Sequence, residues 1–294
     1  MSRPAGHLRR AHPRGAHPRR AAMASLACFA AAAIPVTRAK AQQLPGFPPG
    51  GRRSALLFGN AAYPDAALRN PVRDARLLAG TLQELGFEVM LVENAGRDEM
   101  FQRVRQWLIR STDADVRAFY YAGHGVQYRG NSFLIPVDAV FLAEDEIPAK
   151  AFNLGLVIEP LSRTRSGVNF VIMDACRAQP EALLTRVQRR TRSLEGRASP
   201  GLTAEEAPRG TVIAYSTSPG ALAADGSGQP NSVFTRNLAL HLRQPGVPIE
   251  TVFKRVRMAV MRETRNAQVP WETSSLVGEF CLRPTATGAC GLDG

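Results

Sequence analysis

Histidine is scarce in this chain: five in 294 residues, and three of them (His7, His12 and His17) crowd the first seventeen positions. Cysteine is scarcer still, at four. No C-x-x-C pair and no His/Cys cluster has metal-ligand spacing, which argues against a structural zinc module. No stretch approaches the roughly 18 apolar residues of a membrane-spanning helix, so the folded part is expected to be soluble. No internal repeat is visible, which excludes a solenoid. Acids are missing altogether from residues 1–41, which hold eight Arg and Lys, so only four of the twelve net positive charges fall on the remainder. That modest excess, without any stripe of interleaved aromatic and basic residues, argues against nucleic acid as a partner.

What the first segment does have is the pattern of an export signal. Met1 to Arg20 is basic, Ala21 to Val36 is a short apolar run of small residues, and Ala39-Lys40-Ala41 is an A-x-A pattern. A basic region, an apolar region and a small-residue cleavage site describe a secretory signal peptide over 1–41. Export to a periplasm or beyond is therefore expected. Residues 42–53 (QQLPGFPPGGRR) are rich in Pro and Gly and read as a linker. With the leader and its Cys28 removed, Cys176, Cys281 and Cys290 remain. An odd number in an exported protein points to one unpaired thiol. Cys281 and Cys290, nine apart, could close a small disulfide loop, leaving Cys176 alone.

The 45% hydrophobic content allows one sizeable core. Ser54 to Asn60 is a first buried strand, and Asn70-Pro71 opens a helix stopped by Gly86. Phe87 to Val92 is a strand and Arg97 to Arg110 a helix. Arg117 to Ala122 is a strand that runs into Gly123-His124-Gly125, with a short strand expected over Phe133 to Val137. A helix over 152–163 precedes the apolar run Val168-Asn169-Phe170-Val171-Ile172-Met173, which ends abruptly in Asp174-Ala175-Cys176-Arg177. Residues 181–210, with six arginines, break the pattern and read as a long exposed connection. Thr211 to Ser216 resumes the sheet. Helices follow from Ser232 to His241 and from Ile249 to Arg262, and Gln268 to Glu272 leads to a loop and a short terminal strand. Strands alternating with helices at this spacing predict an α/β fold with a mostly parallel sheet flanked by helices.

Ligands in such sheets sit beyond the carboxyl ends of the strands, where both His124 and Cys176 fall. Outside the leader the only other histidine is His241, near a helix end where a cation meets the helix dipole favourably, so it reads as structural. A thiolate is the competent nucleophile of a thiol, and a nearby imidazole promotes it and can later protonate a leaving amine. A buried structural cysteine is the alternative reading of Cys176.

Ala122-Gly123-His124-Gly125 after an apolar strand, with Met173-Asp174-Ala175-Cys176-Arg177 about fifty residues later, resembles the caspase/metacaspase class of cysteine peptidases. The spacing between histidine and cysteine is itself a recorded feature of caspases. Asn70-Pro71-Val72-Arg73-Asp74-Ala75 is similar to the Asn-Asp-Ala segment of metacaspases, and the resemblance, Pro270-Trp271-Glu272 included, extends over roughly 54–280. Asp174 replaces the Gln that caspases carry two residues before the cysteine. Arg177 stands where metacaspases commonly have His. The resemblance implies a three-layer caspase-like fold, with a peptidase domain over 54–283 and a tail over 284–294. Its larger half would be 54–180 and its smaller half 211–283, joined by the basic connection 181–210.

The resemblance implies a Cys-His dyad with His124 as general base and acid and Cys176 as nucleophile, and an oxyanion hole from the amides of Gly125 and Cys176. Asp174 and Asp74 match the metacaspase acids of the S1 pocket, which implies a polypeptide substrate cut after Arg or Lys. Elementary chemistry also explains Asp74 as a carboxylate in a first helical turn. Asp225 could line the same cleft, though its Asp-Gly turn explains it equally. The arginines of 186–197 suggest self-cleavage, with a solvated loop as the plainer account. No cofactor is required; calcium dependence is known among relatives, but Glu144-Asp145-Glu146 alone does not define a site. The second reading is a catalytically latent caspase-fold interaction or regulatory module.

Overall fold

Burial on both faces dictates the central strands. In a computed structural model, the described residues are 51–164, 167–176, 198–200, 205–218, 228–286, 288 and 290. All of them lie in one unit, Gln42–Gly294. The leader 1–41, its Cys28, the arginines between 181 and 197, and Asp225 lie outside the described residues.

In chain order the elements begin with β1 (Arg53–Gly59), α1 (Pro71–Glu84), β2 (Phe87–Glu93) and α2 (Arg97–Arg110). Next come β3 (Val116–Tyr128), β4 (Asn131–Leu134), β5 (Phe152–Asn153) and α3 (Gly155–Ser162). Then follow β6 (Val168–Cys176), β7 (Ala198–Pro200), β8 (Thr211–Tyr215), α4 (Val233–Leu242), α5 (Ile249–Glu263) and β9 (Trp271–Ser274). The main sheet has the order β2-β1-β3-β6-β8-β9. Its first five strands are parallel, and β9 closes the edge antiparallel to β8.

Period-2 alternation divides the strand side chains between two cores. Ala55, Leu57, Phe170 and Ile172 pack against Ala75, Leu78 and Leu82 of α1, Phe234 and Leu238 of α4, and Val252, Phe253 and Val256 of α5. Leu56, Phe58, Val171 and Met173 face the other way, against Met100, Val104 and Trp107 of α2 and Val157 and Leu161 of α3. Helix, sheet and helix make three layers, the caspase-like α/β arrangement.

Four details depart from the pattern expected of the sequence. First, β3 does not stop before Gly123-His124-Gly125 but continues to Tyr128. When β1 ends opposite Ala122, β4 takes over that edge from Gly125 onward, while β6 follows the other edge as far as His124. The glycine pair therefore never becomes a turn, because ladder partners stand on both sides. Second, β7 forms within the basic connection and pairs antiparallel with Val126, Gln127 and Tyr128. Third, Phe152 and Asn153 are a strand on β4, and only then does α3 begin. Fourth, Trp271–Ser274 is itself the last strand, recruited by the open edge of β8. At the other end the fold starts slightly early: Arg53 already pairs with Phe87 and Val116, and Arg52 donates its amide to Asp115. Among the described residues no helix is long and apolar enough to cross a membrane.

Candidate active site

His124 is held by a short loop that links β1 to α1. Its Nε2 lies 2.7 Å from the carbonyl oxygen of Ala66. A carbonyl can only accept, so the proton sits on Nε2 and Nδ1 becomes the basic nitrogen. The ring packs against Tyr63, with centroids 4.4 Å apart. The His124 amide donates to the Tyr63 hydroxyl at 3.0 Å, and Tyr121 Oη donates to the His124 carbonyl at 2.7 Å. Burial pushes the Tyr121 phenol well above its ordinary pKa, so it remains a donor. The imidazole is thus fixed in place, tautomer and backbone together, with only 5% of its residue surface exposed.

Gly123 is required by this arrangement. Its φ is +156°, and a Cβ there would lie 2.6 Å from Tyr121 Oη and 2.7 Å from Tyr63 Oη. No side chain fits between those two phenols.

Cys176 enters through the backbone. The β3–β6 ladder pairs Ala122 with Asp174 and, on its last rung, His124 with Cys176. Paired positions on neighbouring strands lie about 5 Å apart at the backbone, so the ladder makes His124 and Cys176 direct cross-strand neighbours. The His124 carbonyl accepts from Ile135, toward the β4 edge. Successive residues of a strand present their backbone groups to opposite edges, so the Gly125 amide faces the β6 edge where Cys176 ends.

The two acids singled out in the sequence, a hundred residues apart, converge. Asp74 lies in the first turn of α1 and is 2% exposed; Asp174 is 5% exposed. Asp74 Oδ1 accepts from Asn231 Nδ2 and from the Ser232 amide, both at 2.9 Å. Asp174 Oδ2 accepts from Ser232 Oγ at 2.6 Å and Thr235 Oγ1 at 2.7 Å. Burial, and then the charge of Asp174, push the Asp74 carboxyl up to about 7, against the opposing hydrogen bonds from Asn231 and Ser232. Two buried carboxylates this close repel, and a cation placed between them relieves both.

The remaining candidates lie apart from this cluster. His241 sits in the last turn of α4. Cys281 and Cys290 are joined as a disulfide, their Cα atoms 5.6 Å apart. In the acidic run, Glu146 is engaged by Lys150 at 2.8 Å and by the Leu142 amide at 2.7 Å, and among the described residues no group of three or more His, Cys, Asp or Glu is arranged to hold a metal ion. No residue pattern points to Ala66, Tyr63, Asn231, Ser232 or Thr235 as part of this cluster. The sole cue was Ser232 at a helix start, which signals a cap and nothing more.

Comparison with known proteins identifies the family. The family model described as the caspase domain, Peptidase_C14, matches residues 52–281. The mouse mucosa-associated lymphoid tissue lymphoma translocation protein 1 homolog is 32% identical over 124 residues, which is 42% of this chain and 14% of that protein. Its human counterpart is likewise 32% identical over 124 residues, 42% of this chain and 15% of its own length. The match thus covers about a seventh of those relatives. The family model, in contrast, takes in well over half of the chain, and this chain belongs to the caspase-domain family.

Proposed function

We propose that this chain is a cysteine-type endopeptidase that cuts polypeptides after Arg or Lys. The pairing of His124 with Cys176 on the last rung of the β3–β6 ladder carries the reading. In the proposed reaction Nδ1 of His124 takes the Cys176 proton, and the thiolate attacks the scissile carbonyl. The amides of Gly125 and Cys176 receive the developing oxyanion, a contribution worth about 3–4 kcal/mol in enzymes that use one. The imidazolium then protonates the leaving amine, leaving a thioester. Water, deprotonated by the same imidazole, hydrolyses the thioester and regenerates the thiol. Ala66 serves by keeping the proton on Nε2, so that Nδ1 is ready at the start of each half-reaction.

Specificity follows from Asp74 and Asp174. An arginine or lysine at P1 supplies the positive charge their mutual repulsion calls for; an aspartate would add a third negative charge. Export is supported by the basic leader and by the Cys281–Cys290 bridge, a bond that oxidising compartments maintain.

The test is hydrolysis of fluorogenic peptides with Arg, Lys or Asp at P1 by the wild type and by Cys176→Ala. Cleavage after Arg and Lys that disappears in Cys176→Ala is expected. Equal signal from both proteins removes the dyad, and cleavage after Asp alone removes the pocket assignment.

A further inference from the structure

The two acids come from α1 and β6, yet one residue of a third element touches both. Ser232, the N-cap of α4, donates its amide to Asp74 and its hydroxyl to Asp174 while its Oγ also accepts from the Thr235 amide at 3.0 Å. Capping accounts for the last of these bonds only. Aspartate caps helices equally well, but at this position it would have no hydroxyl proton for Asp174 and would add a third charge. Asn231 supplies a second donor to Asp74, and Thr235 a second donor to Asp174. The amino end of α4, with its partial positive charge, thus turns donors from one short stretch onto both carboxylates.

We infer that Ser232 is a specificity-determining positioning residue, which holds Asp74 and Asp174 side by side so that a single P1 cation meets both. The inference rests on the assignment of those two acids to the S1 pocket. Without the Ser232 hydroxyl, Asp174 loses one of its two donors from α4 and the pair is free to rotate apart. The consequence falls on recognition of the cation and leaves the dyad intact. Among the described residues, hydrogen bonds reach Asp74 on α1 and Asp174 on β6 from the uncharged Asn231, Ser232 and Thr235 at α4, and the Tyr120 hydroxyl meets Thr235 Oγ1 at 2.7 Å.

The experiment compares one peptide sequence carrying Arg or citrulline at P1, two side chains of like shape that differ in charge. For Ser232→Ala, KM for the Arg peptide should rise about tenfold, the usual effect of removing a donor from a charged acceptor, while kcat stays within about twofold. Turnover of the citrulline peptide should be unchanged. Ser232→Thr, which keeps both cap and hydroxyl, should restore the Arg preference. The ratio of kcat/KM for Arg over citrulline, followed against pH, cancels the titration of the dyad and reports the acid pair. Its acid limb should move to higher pH in Ser232→Ala, since a lost donor makes each carboxylate harder to ionise. A parallel loss on both peptides, or an unmoved KM and acid limb, would show Ser232 to be only a helix cap and overturn the inference. A wild type that does not distinguish Arg from citrulline overturns the pocket assignment, and the inference falls with it.

Discussion

At the scale of single residues, Asp74 makes the cost of the site measurable. Its pKa of about 7 lies above the ordinary 3.8, so between those values the folded chain holds a proton that the unfolded chain has released. Stability therefore falls as pH rises from about 4 through 7 and is lowest where Asp74 is ionised. Asp74→Asn abolishes that slope. The variant should be more stable than the wild type by about 2–4 kcal/mol at pH 8, by less than half of that at pH 5, and nearly equal to it at about pH 3, by urea unfolding at each pH. It should also lose selectivity for P1 Arg. A variant that is less stable at pH 8 would mean that Asp74 is held ionised by the fold. Gly123 makes the opposite prediction. Gly123→Ala drives a methyl between the phenols of Tyr63 and Tyr121, both buried in tight contact around His124. Thermal unfolding should show a loss of about 2–4 kcal/mol. Cleavage should fall by roughly a hundredfold as the imidazole shifts. Full activity in Gly123→Ala would show that the Tyr63 contact does not position His124.

At the scale of elements, His124 depends on a loop that contributes no side chain to the proposed dyad. The segment between β1 and α1 delivers Tyr63 and the Ala66 carbonyl, and Asn60 and Asn94 hold its start. Asn60 is fully buried, accepts from the Ala95 amide at 2.9 Å, and donates toward the carbonyls of Ala95 and Ile135. Asn94, at a φ of 52°, accepts from the amides of Ala61 and Ala62. Asn60→Ala strands the Ala95 amide in the interior, which costs about 1–3 kcal/mol. Hydrogen exchange in residues 61–68 should accelerate and kcat should fall, with KM for the Arg peptide little changed, because the acid pair is held elsewhere. Unchanged exchange there would mean that the loop is fixed by Tyr63 alone.

The same scale separates what the sequence made legible from what it hid. Strands buried on both faces, such as Val168–Cys176, announce themselves as apolar runs, and the ends of those runs located both His124 and Cys176. Asp174 was visible because a carboxylate closing an apolar run needs a reason. The path of β3 through Gly123-His124-Gly125 was hidden, since glycines signal a turn unless ladder partners arrive from β4 and β6. Ala66 was invisible in principle: it acts through its carbonyl, which every residue has. Ser232 meets Asp74 across 158 residues of chain, and no local pattern reports such a contact. Side-chain type finds the groups that react, while the groups that orient them are set by tertiary geometry.

At the scale of the whole molecule, the fold keeps chemistry and reinforcement in different places. The proposed chemistry gathers at the carboxyl ends of β3 and β6. The Cys281–Cys290 bridge instead secures the segment that carries Phe280 and Leu282, both buried in the core beneath α1, α4 and α5. Phe280 packs on Phe170, six positions before Cys176 on β6, with ring centroids 5.7 Å apart. Closing so short a loop is worth roughly 2–3 kcal/mol in the chain-entropy account. Reduction, or the paired change of Cys281 and Cys290 to Ser, should lower the unfolding free energy by about that amount, since the unfolded chain regains the freedom of the loop. The Arg-peptide kcat at 25 °C should stay within about twofold, because the packing of Phe280 on Phe170 is retained and the Ser232 bridge is untouched. If reduction instead abolished Arg over citrulline selectivity while leaving the unfolding midpoint in place, the bridge would belong to the recognition machinery, and the separation of roles would fail.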